Sequence, residues 1–341
     1  MKRPTHIGLD ISGNTLSAVQ LTPNGDSFSV VEAACVRKLD CNESVSQGDA
    51  KRAMDLIENR RFRGHRIVTA VPCELQLLGS FEIPPPDSGA DISEITRGEL
   101  AHESKLKTTD IESDWWVLPP TGKTGDSTRA IAVGLSQDKG RLLVDTLVEE
   151  GFEPVAFDVR GLAILRACRH MLAGSGKISS FVEIGDFATL TCVCIDDTII
   201  YYRRVEEGLD NILQDVMREM NVDALVAEEM LSSLATSTDN VSSSARDLLA
   251  LVNTQVGELA KTVRAAITYA SHRYPHAELG NVLLMGAGAD VLDVTSIFED
   301  RIGIPVRRVT LGDVCRDTRH SLHSKSVLVP AAGMAMYGEV A

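Results

Sequence analysis

Nowhere does this sequence run the roughly 20 apolar residues that a membrane-spanning helix needs, because carboxylates interrupt every hydrophobic segment first. The opening MKRPTHIGLD carries two basic residues with no apolar run behind them, so no signal peptide is expected. Positive charge is short as well: 34 Lys and Arg stand against 48 Asp and Glu, a formal charge of −14. That balance excludes a groove for nucleic acid, which needs clustered cations, and argues equally against electrostatic docking on an anionic membrane. The seven cysteines are odd in number and show no CxxC spacing, which leaves no disulfide framework and no zinc site to expect. Cys192 and Cys194, at i,i+2 on an expected strand, read as reduced, buried thiols. What the chain does have is length and core: 341 residues with 44% hydrophobic content suggest two domains or one duplicated domain.

Duplication is the reading the residues favour. Residues 5–36 form three expected strands, THIGLDI, TLSAVQL and SFSVVEAACV, with Pro23-Asn24-Gly25-Asp26 as a hairpin turn before the third. Residues 179–205 repeat the pattern as SSFVEIGD, ATLTCVCI and TIIYYRRV, with Asp196-Asp197 at the turn. In each copy the first strand closes on a carboxylate, Ile and a small residue: Asp10-Ile11-Ser12 and Glu183-Ile184-Gly185.

Between the meanders, residues 49–60 read as a helix and IVTAVP (67–72) as a strand. Residues 79–158 follow with strand, helix, two strands, helix and strand, the order of a small ferredoxin-like β-α-β-β-α-β insert. Asp138 is the expected cap of its second helix, which stops at Gly151, and TGKTGDST (121–128) reads as an exposed loop. A helix over 159–173 leads to the Gly174-Ser175-Gly176 break. After the second meander come a helix from Leu209, a polar loop at 232–244 and a long helix over 245–273. The apolar seam of that helix (Leu249, Val252, Val256, Leu259, Val263, Ala266, Ala270) reads as packing onto its own domain, with a coiled-coil partner as the sharper alternative. NVLLMGAGAD (281–290) is then strand and glycine loop, IPVRRV (304–309) a strand, and a helix of small residues follows Pro330.

Three turns are candidate sites. Asp10-Ile11-Ser12-Gly13-Asn14-Thr15 presents backbone amides and hydroxyls suited to phosphate oxygens, and Asp10 is placed to hold a Mg²⁺ ion through water. Glu183-Ile184-Gly185-Asp186 is the mirror turn, with Glu183 as the candidate catalytic carboxylate. At Gly286-Ala287-Gly288 the missing side chains would let backbone lie against a planar base. Each turn alone is a weak signal. In this order and spacing they describe a cleft between two related halves, closed on a nucleotide.

On these residues the chain resembles the actin-like ATPase superfamily, and within it the PilM branch, whose relatives include FtsA. IGLDISGNTLSAVQL resembles the family's opening strand pair, FVEIGDFATLTCVCIDDTIIYYRRVEEGLDNI its second phosphate segment, NVLLMGAGADVLDVTSIFEDRIGIPV its adenosine segment and PAAGMAM its closing helix. The resemblance implies an α/β fold of two actin-like, ribonuclease-H-like halves. The first half would span 1–78 and 159–175, carrying the insert at 79–158, and the second 176–341, with a subdomain at about 209–278. It implies ATP with Mg²⁺ as cofactor, and Gly208 and Glu228 as further nucleotide-side residues. It also implies a cytoplasmic protein, peripheral to the inner membrane, that takes the N-terminal tail of a PilN-type membrane partner in a groove beside the insert. Its further partners are components of a pilus, competence or secretion platform. Nucleotide in such a protein would set the angle between the halves by shifting populations.

The departures bear on mechanism. Where the family reads Asp-Ile-Gly-Ser with a Lys seven positions after the Asp, this chain has Ser12-Gly13 and Ser17; the second turn opens on Glu183 in place of Asp. The Lys of the family's Ala-Glu-x-x-Lys is Leu231 here, after Ala227 and Glu228, and the triple-glycine loop is Gly286-Ala287-Gly288. A lost lysine removes a cation that neutralises phosphate. A carboxylate one methylene longer misplaces a metal-bound water, and errors of about 1 Å cost on the order of 100-fold. The expectation is a scaffold with weak nucleotide binding and little or no hydrolysis. The alternatives are an active ATPase, an FtsA-like division protein and a sugar-kinase-like enzyme. AMYGEVA closes the chain without an FtsA-type amphipathic helix, and no substrate-domain insertion or catalytic Asp pattern supports a kinase.

Other signals have plainer readings. His320 and His323 lack a carboxylate or cysteine to complete a metal site, and His272 and His276 straddle Pro275. NRRFRGHR (59–66) is the lone basic run, a surface patch that suits an acidic partner segment. Trp115 and Trp116 must face opposite sides of a strand: one joins the insert core, the other is a candidate lining for a partner groove.

Overall fold

The computed structural model describes residues 3–38, 44–122, 127–234, 243–292, 294–316 and 322–339. The chain divides into two compact units: Met1–Ala167 with Thr198–Ile200 and Pro330–Ala341, and Cys168–Asp197 with Tyr201–Val329. The division differs from the expected one at the closing helix and Thr198–Ile200, which cluster with the first unit, and at 168–175, which cluster with the second.

In the first unit β1 (Ile7–Ser12), β2 (Thr15–Asn24) and β3 (Ser27–Arg37) form the antiparallel meander, with Gly25 left-handed in the Asn24–Ser27 turn. Helix α1 (Gln47–Glu58) starts on Ser46, whose hydroxyl accepts from the Asp49 amide while Asp49 bonds back to Ser46. Strand β4 (Arg66–Ala70) returns parallel to β1.

The insert begins with β5 (Leu77–Glu82), α2 (Ile92–Ser104), β6 (Ile111–Val117) and β7 (Arg129–Ser136), which make a three-stranded sheet in the order β5-β7-β6. Phe81, Leu100, Ala101, Ile111 and Ala132 form its core, against which Trp115 packs. The next elements follow the expected order but pair elsewhere, which corrects the six-element ferredoxin-like insert. Helix α3 (Gln137–Glu149) buries Leu143 and Leu147 among Ile7, Leu9, Leu16 and Met54 of the main core. Strand β8 (Glu153–Asp158) pairs parallel with β4, because Val68 and Thr69 leave that edge of the larger sheet unpaired otherwise. Helix α3 is preceded by Ser136; Asp138 lies inside its first turn, where a carboxylate complements the helix dipole without capping it. Helix α4 (Arg160–Cys168) closes the segment.

The second unit repeats the plan. β9 (Lys177–Ile184), β10 (Thr189–Ile195) and β11 (Thr198–Val205) form its meander, with Asp196 left-handed at the last turn. Helices α5 (Leu209–Met220), α6 (Ala224–Leu234) and α7 (Ser243–Arg273) follow. Then come β12 (Glu278–Met285), α8 (Ala287–Val291), α9 (Thr295–Ile302), β13 (Val306–Arg308) and α10 (Leu311–Val314). The sheets run β3-β2-β1-β4-β8 and β11-β10-β9-β12-β13, the same order twice, with the crossovers parallel in each. On α7 the seam residues Val252, Val256, Leu259, Val263, Ala266 and Ala270 are buried in the unit's own core, while Leu249 is exposed. Helix α11 (Val329–Ala335) ends the described elements. Residues 123–126 and 235–242, in the two expected polar loops, lie outside the described residues.

Candidate functional site

In the first unit alternation along β1 sorts its side chains. Ile7, Leu9 and Ile11 point to the α1–α3 core, which puts Gly8, Asp10 and Ser12 on the opposite face. A Cβ on Gly8 would sit 1.9 Å from the Ala331 carbonyl oxygen, so α11 lies directly on that face. Asp10 is buried there, 3% exposed, directly across from Ser17 in the β1–β2 register. One guanidinium nitrogen of Arg160 stands 2.5 Å from Asp10 Oδ1, and both side chains are shielded from solvent. The Ser17 hydroxyl, where the resemblance implies a lysine, is 1% exposed and has no hydrogen-bond partner among the described residues. Gly13 takes the left-handed conformation its tight turn requires, and the Asn14 carbonyl accepts from the Lys38 amide at 2.8 Å. Ser12, Asn14 and Thr15 are half-buried at the turn.

Arg160 was not foreseen as a site residue, although the sequence holds a signal for it. It opens α4, where the helix dipole disfavours a cation unless an anion stands close by. The same helix is held at its other end by Arg166, which bonds Asp158 and the Gly333 carbonyl, each at 2.8 Å. Trp116, the candidate groove residue, instead donates its indole N–H to the Ile199 carbonyl at 2.7 Å within this unit.

In the second unit the predicted residues converge on the β9–β10 turn. Glu183 is buried, and Gly286, left-handed at φ 95°, lies against it: a Cβ there would meet the Ile184 carbonyl oxygen at 2.5 Å and Glu183 Cγ at 3.0 Å. Gly288 admits no Cβ either, since Ile184 Cγ2 would be 2.4 Å away. These glycines seat α8 on β9, with Ala287 half-buried between them. Gly208 is equally tight, with Asp186 and Gly185 carbonyl oxygens at 2.5 and 2.7 Å from where its Cβ would be. The first amides of α5 are already used: Leu209 donates to the Gly185 carbonyl at 2.9 Å and Asp210 to the Asp186 carbonyl at 2.8 Å. The Gly208 amide donates to Asn211 Oδ1 at 2.9 Å. Glu228 lies half-buried on α6.

Elsewhere in this unit, burial raises the Asp313 carboxyl, but bonds from the Thr310 hydroxyl and amide and the Arg307 guanidinium outweigh it and hold the carboxyl below its ordinary value. Burial also pushes the Cys194 thiol up to about 12 and raises that of Cys168, which makes both inert. Among the described residues no three His, Cys, Asp or Glu side chains are grouped to hold a metal ion. His320 lies outside the described residues. Among those residues no helix is long and apolar enough to cross a membrane.

Two units of one strand order, each with its first strand ending at a carboxylate beside a glycine turn, define the class: this chain has the actin-like ATPase fold. The particular likeness is to a chain solved in a PilM–PilN type IV pilus biogenesis complex, at 19% identity and TM-score 0.79, covering 98% of each chain. The ethanolamine utilization protein EutJ from Carboxydothermus hydrogenoformans follows at 14% identity and TM-score 0.60, over 99% of this chain and 91% of that one. MreB 5 of Spiroplasma citri, solved bound to AMPPNP, aligns at 11% identity and TM-score 0.54, over 99% and 97%. The sequence resemblance to PilM therefore holds at the level of fold. No family model and no curated protein matches the chain.

Proposed function

We propose that this protein is a cytoplasmic, actin-like scaffold of the inner-membrane assembly platform of a type IV pilus or a related secretion or competence machine. In this role it holds the cytoplasmic N-terminal tail of a PilN-type membrane protein, and its nucleotide site has lost the chemistry of the fold. One observation carries the reading: the likeness to the chain solved in the PilM–PilN complex runs over 98% of both chains.

Mg²⁺–ATP fits the residues poorly. The carboxylate that would order a metal-bound water, Asp10, is neutralised by Arg160, and the lysine position holds Ser17. In the second unit the amides at the start of α5 bond to turn carbonyls, and the spaces left by Gly286 and Gly288 are filled by β9. The groups that cradle phosphate and base in a working site are here engaged in holding the turns together. Hydrolysis is then weak or absent, and the fold serves by its shape.

The test is a titration with a synthetic peptide of the cytoplasmic tail of a PilN-type protein from the same cell. Saturable binding that a scrambled peptide does not show, unchanged by Mg²⁺–ATP, is the expected result. Binding that requires ATP would return the protein to the nucleotide-driven class, and no binding would remove the docking role.

A further inference from the structure

The basic run at 59–66 connects α1 to β4 and plays no part in the function proposed above. Its backbone is fixed by buried polar side chains. Gln20, 1% exposed, accepts from the Arg63 amide at 2.8 Å and donates to the Arg63 carbonyl at 3.0 Å. Glu32, 8% exposed, accepts from the Arg61 amide at 3.2 Å, and the Glu153 amide donates to the His65 carbonyl at 2.9 Å. Phe62 turns inward against the α1–α3 core. The side chains of Arg60, Arg61, Arg63 and Arg66 project outward, exposed, and among the described residues none of the four guanidinium groups forms an ion pair or hydrogen bond. Burying two hydrogen-bonding side chains to fix a loop sets the backbone from which its arginines project, which lowers the backbone entropy lost when a ligand binds.

We infer that this loop is a docking surface for an acidic peptide segment of a partner protein, distinct from the membrane-partner tail and independent of that assignment. Guanidinium forks match carboxylates bidentately. The carboxylates bordering the loop do not cancel it: Glu32 is bound to main-chain amides, Asp55 and Glu58 lie on the last turns of α1, and Glu153 stands across the β4–β8 register from Arg66 alone. Arg60, Arg61 and Arg63 therefore make the active patch. A chain-like ligand fits it better than a membrane does. The protein as a whole carries −14, so a broad anionic plane brings the carboxylates around the patch within a Debye length of about 8 Å, whereas a narrow peptide meets the patch by itself. The inward Phe62 also removes the one aromatic side chain in the run that would wedge into lipid.

The experiment uses the full chain, a fluorescein-labelled peptide alternating Glu and Ser, its Gln–Ser counterpart, and phosphatidylglycerol vesicles. The triple variant R60Q/R61Q/R63Q keeps every backbone bond, and equal thermal midpoints confirm that it folds. The wild type binds the Glu peptide, binding weakens with salt, and the triple variant binds about tenfold less tightly, as three modest exposed pairs imply. Equal binding by the variant, or no preference for Glu over Gln, would overturn the inference. So would capture of the wild type by vesicles in place of the peptide, which would assign the patch to a membrane.

Discussion

The two units carry one topology and treat its key carboxylate in opposite ways. Asp10, at the end of β1, is met by a cation from α4; Glu183, at the end of β9, is met by Gly286 and the backbone that glycine admits. The first unit sets a cation against its buried carboxylate, and the second packs a side-chain-free glycine against its own. A shared fold thus fixes where a carboxylate sits while leaving open what it does.

Breaking the pair is the strongest way to test this contrast. Arg160→Gln strands a buried carboxylate and is expected to cost about 3–5 kcal/mol in denaturant unfolding. Adding Asp10→Asn should restore much of that loss, since the isolated charge goes with it. Glu183→Gln, which keeps the length of the side chain packed on Gly286, is expected to cost about 1 kcal/mol. If Arg160→Gln and Glu183→Gln lose equal stability, the contrast fails.

Gly286→Ala probes the second unit's use of space. It places a Cβ against the Ile184 carbonyl at a left-handed position and should cost about 3 kcal/mol or more. Gly174→Ala, left-handed but with nothing within 4 Å, should cost about 1–2 kcal/mol. Comparable losses would mean that backbone strain alone, without the fit to β9, explains Gly286. Ser17→Ala is the smaller counterpart in the first unit. Its hydroxyl has no partner among the described residues, so unfolding free energy should change by about 0.5 kcal/mol or less. A loss several times larger would show that the Ser17 hydroxyl contributes a contact of its own.

The smallest effect is in pH. Burial and then Arg66 lower the His6 pKa below 6.5, so the unfolded chain takes up the proton first. Stability in the first unit should decline as pH falls through 6.5 toward the lowered value, and His6→Gln should flatten that slope. Asp313 in the second unit is also lowered, but from 3.8, so its contribution is present above that pH and lost only as pH falls through its folded value. A matching slope near neutral pH in the His6→Gln variant would contradict this division.

The duplicated plan was legible because hairpin chemistry is local: the Asn24-Gly25 turn and the paired carboxylate–Ile–small endings announce the same meander twice. The insert's true extent was not, since whether α3 and β8 join a small sheet or a large one depends on pairing with β4, about 85 residues back. The site was half legible. The turns stand where the motifs put them, yet their glycines face β9 rather than open space. Arg160 meets Asp10 from 150 positions away, and only its awkward place at a helix start hinted at a partner.

The most direct measurement is a calorimetric titration of Mg²⁺–ATP into the wild type and Arg160→Gln. With Asp10 closed by Arg160, the wild type should give neither heat nor a thermal shift at millimolar nucleotide. Micromolar binding by the wild type would contradict the account, because it would mean that the ion pair opens to a ligand and that Ser17 and Glu183 are tolerated replacements in a working site.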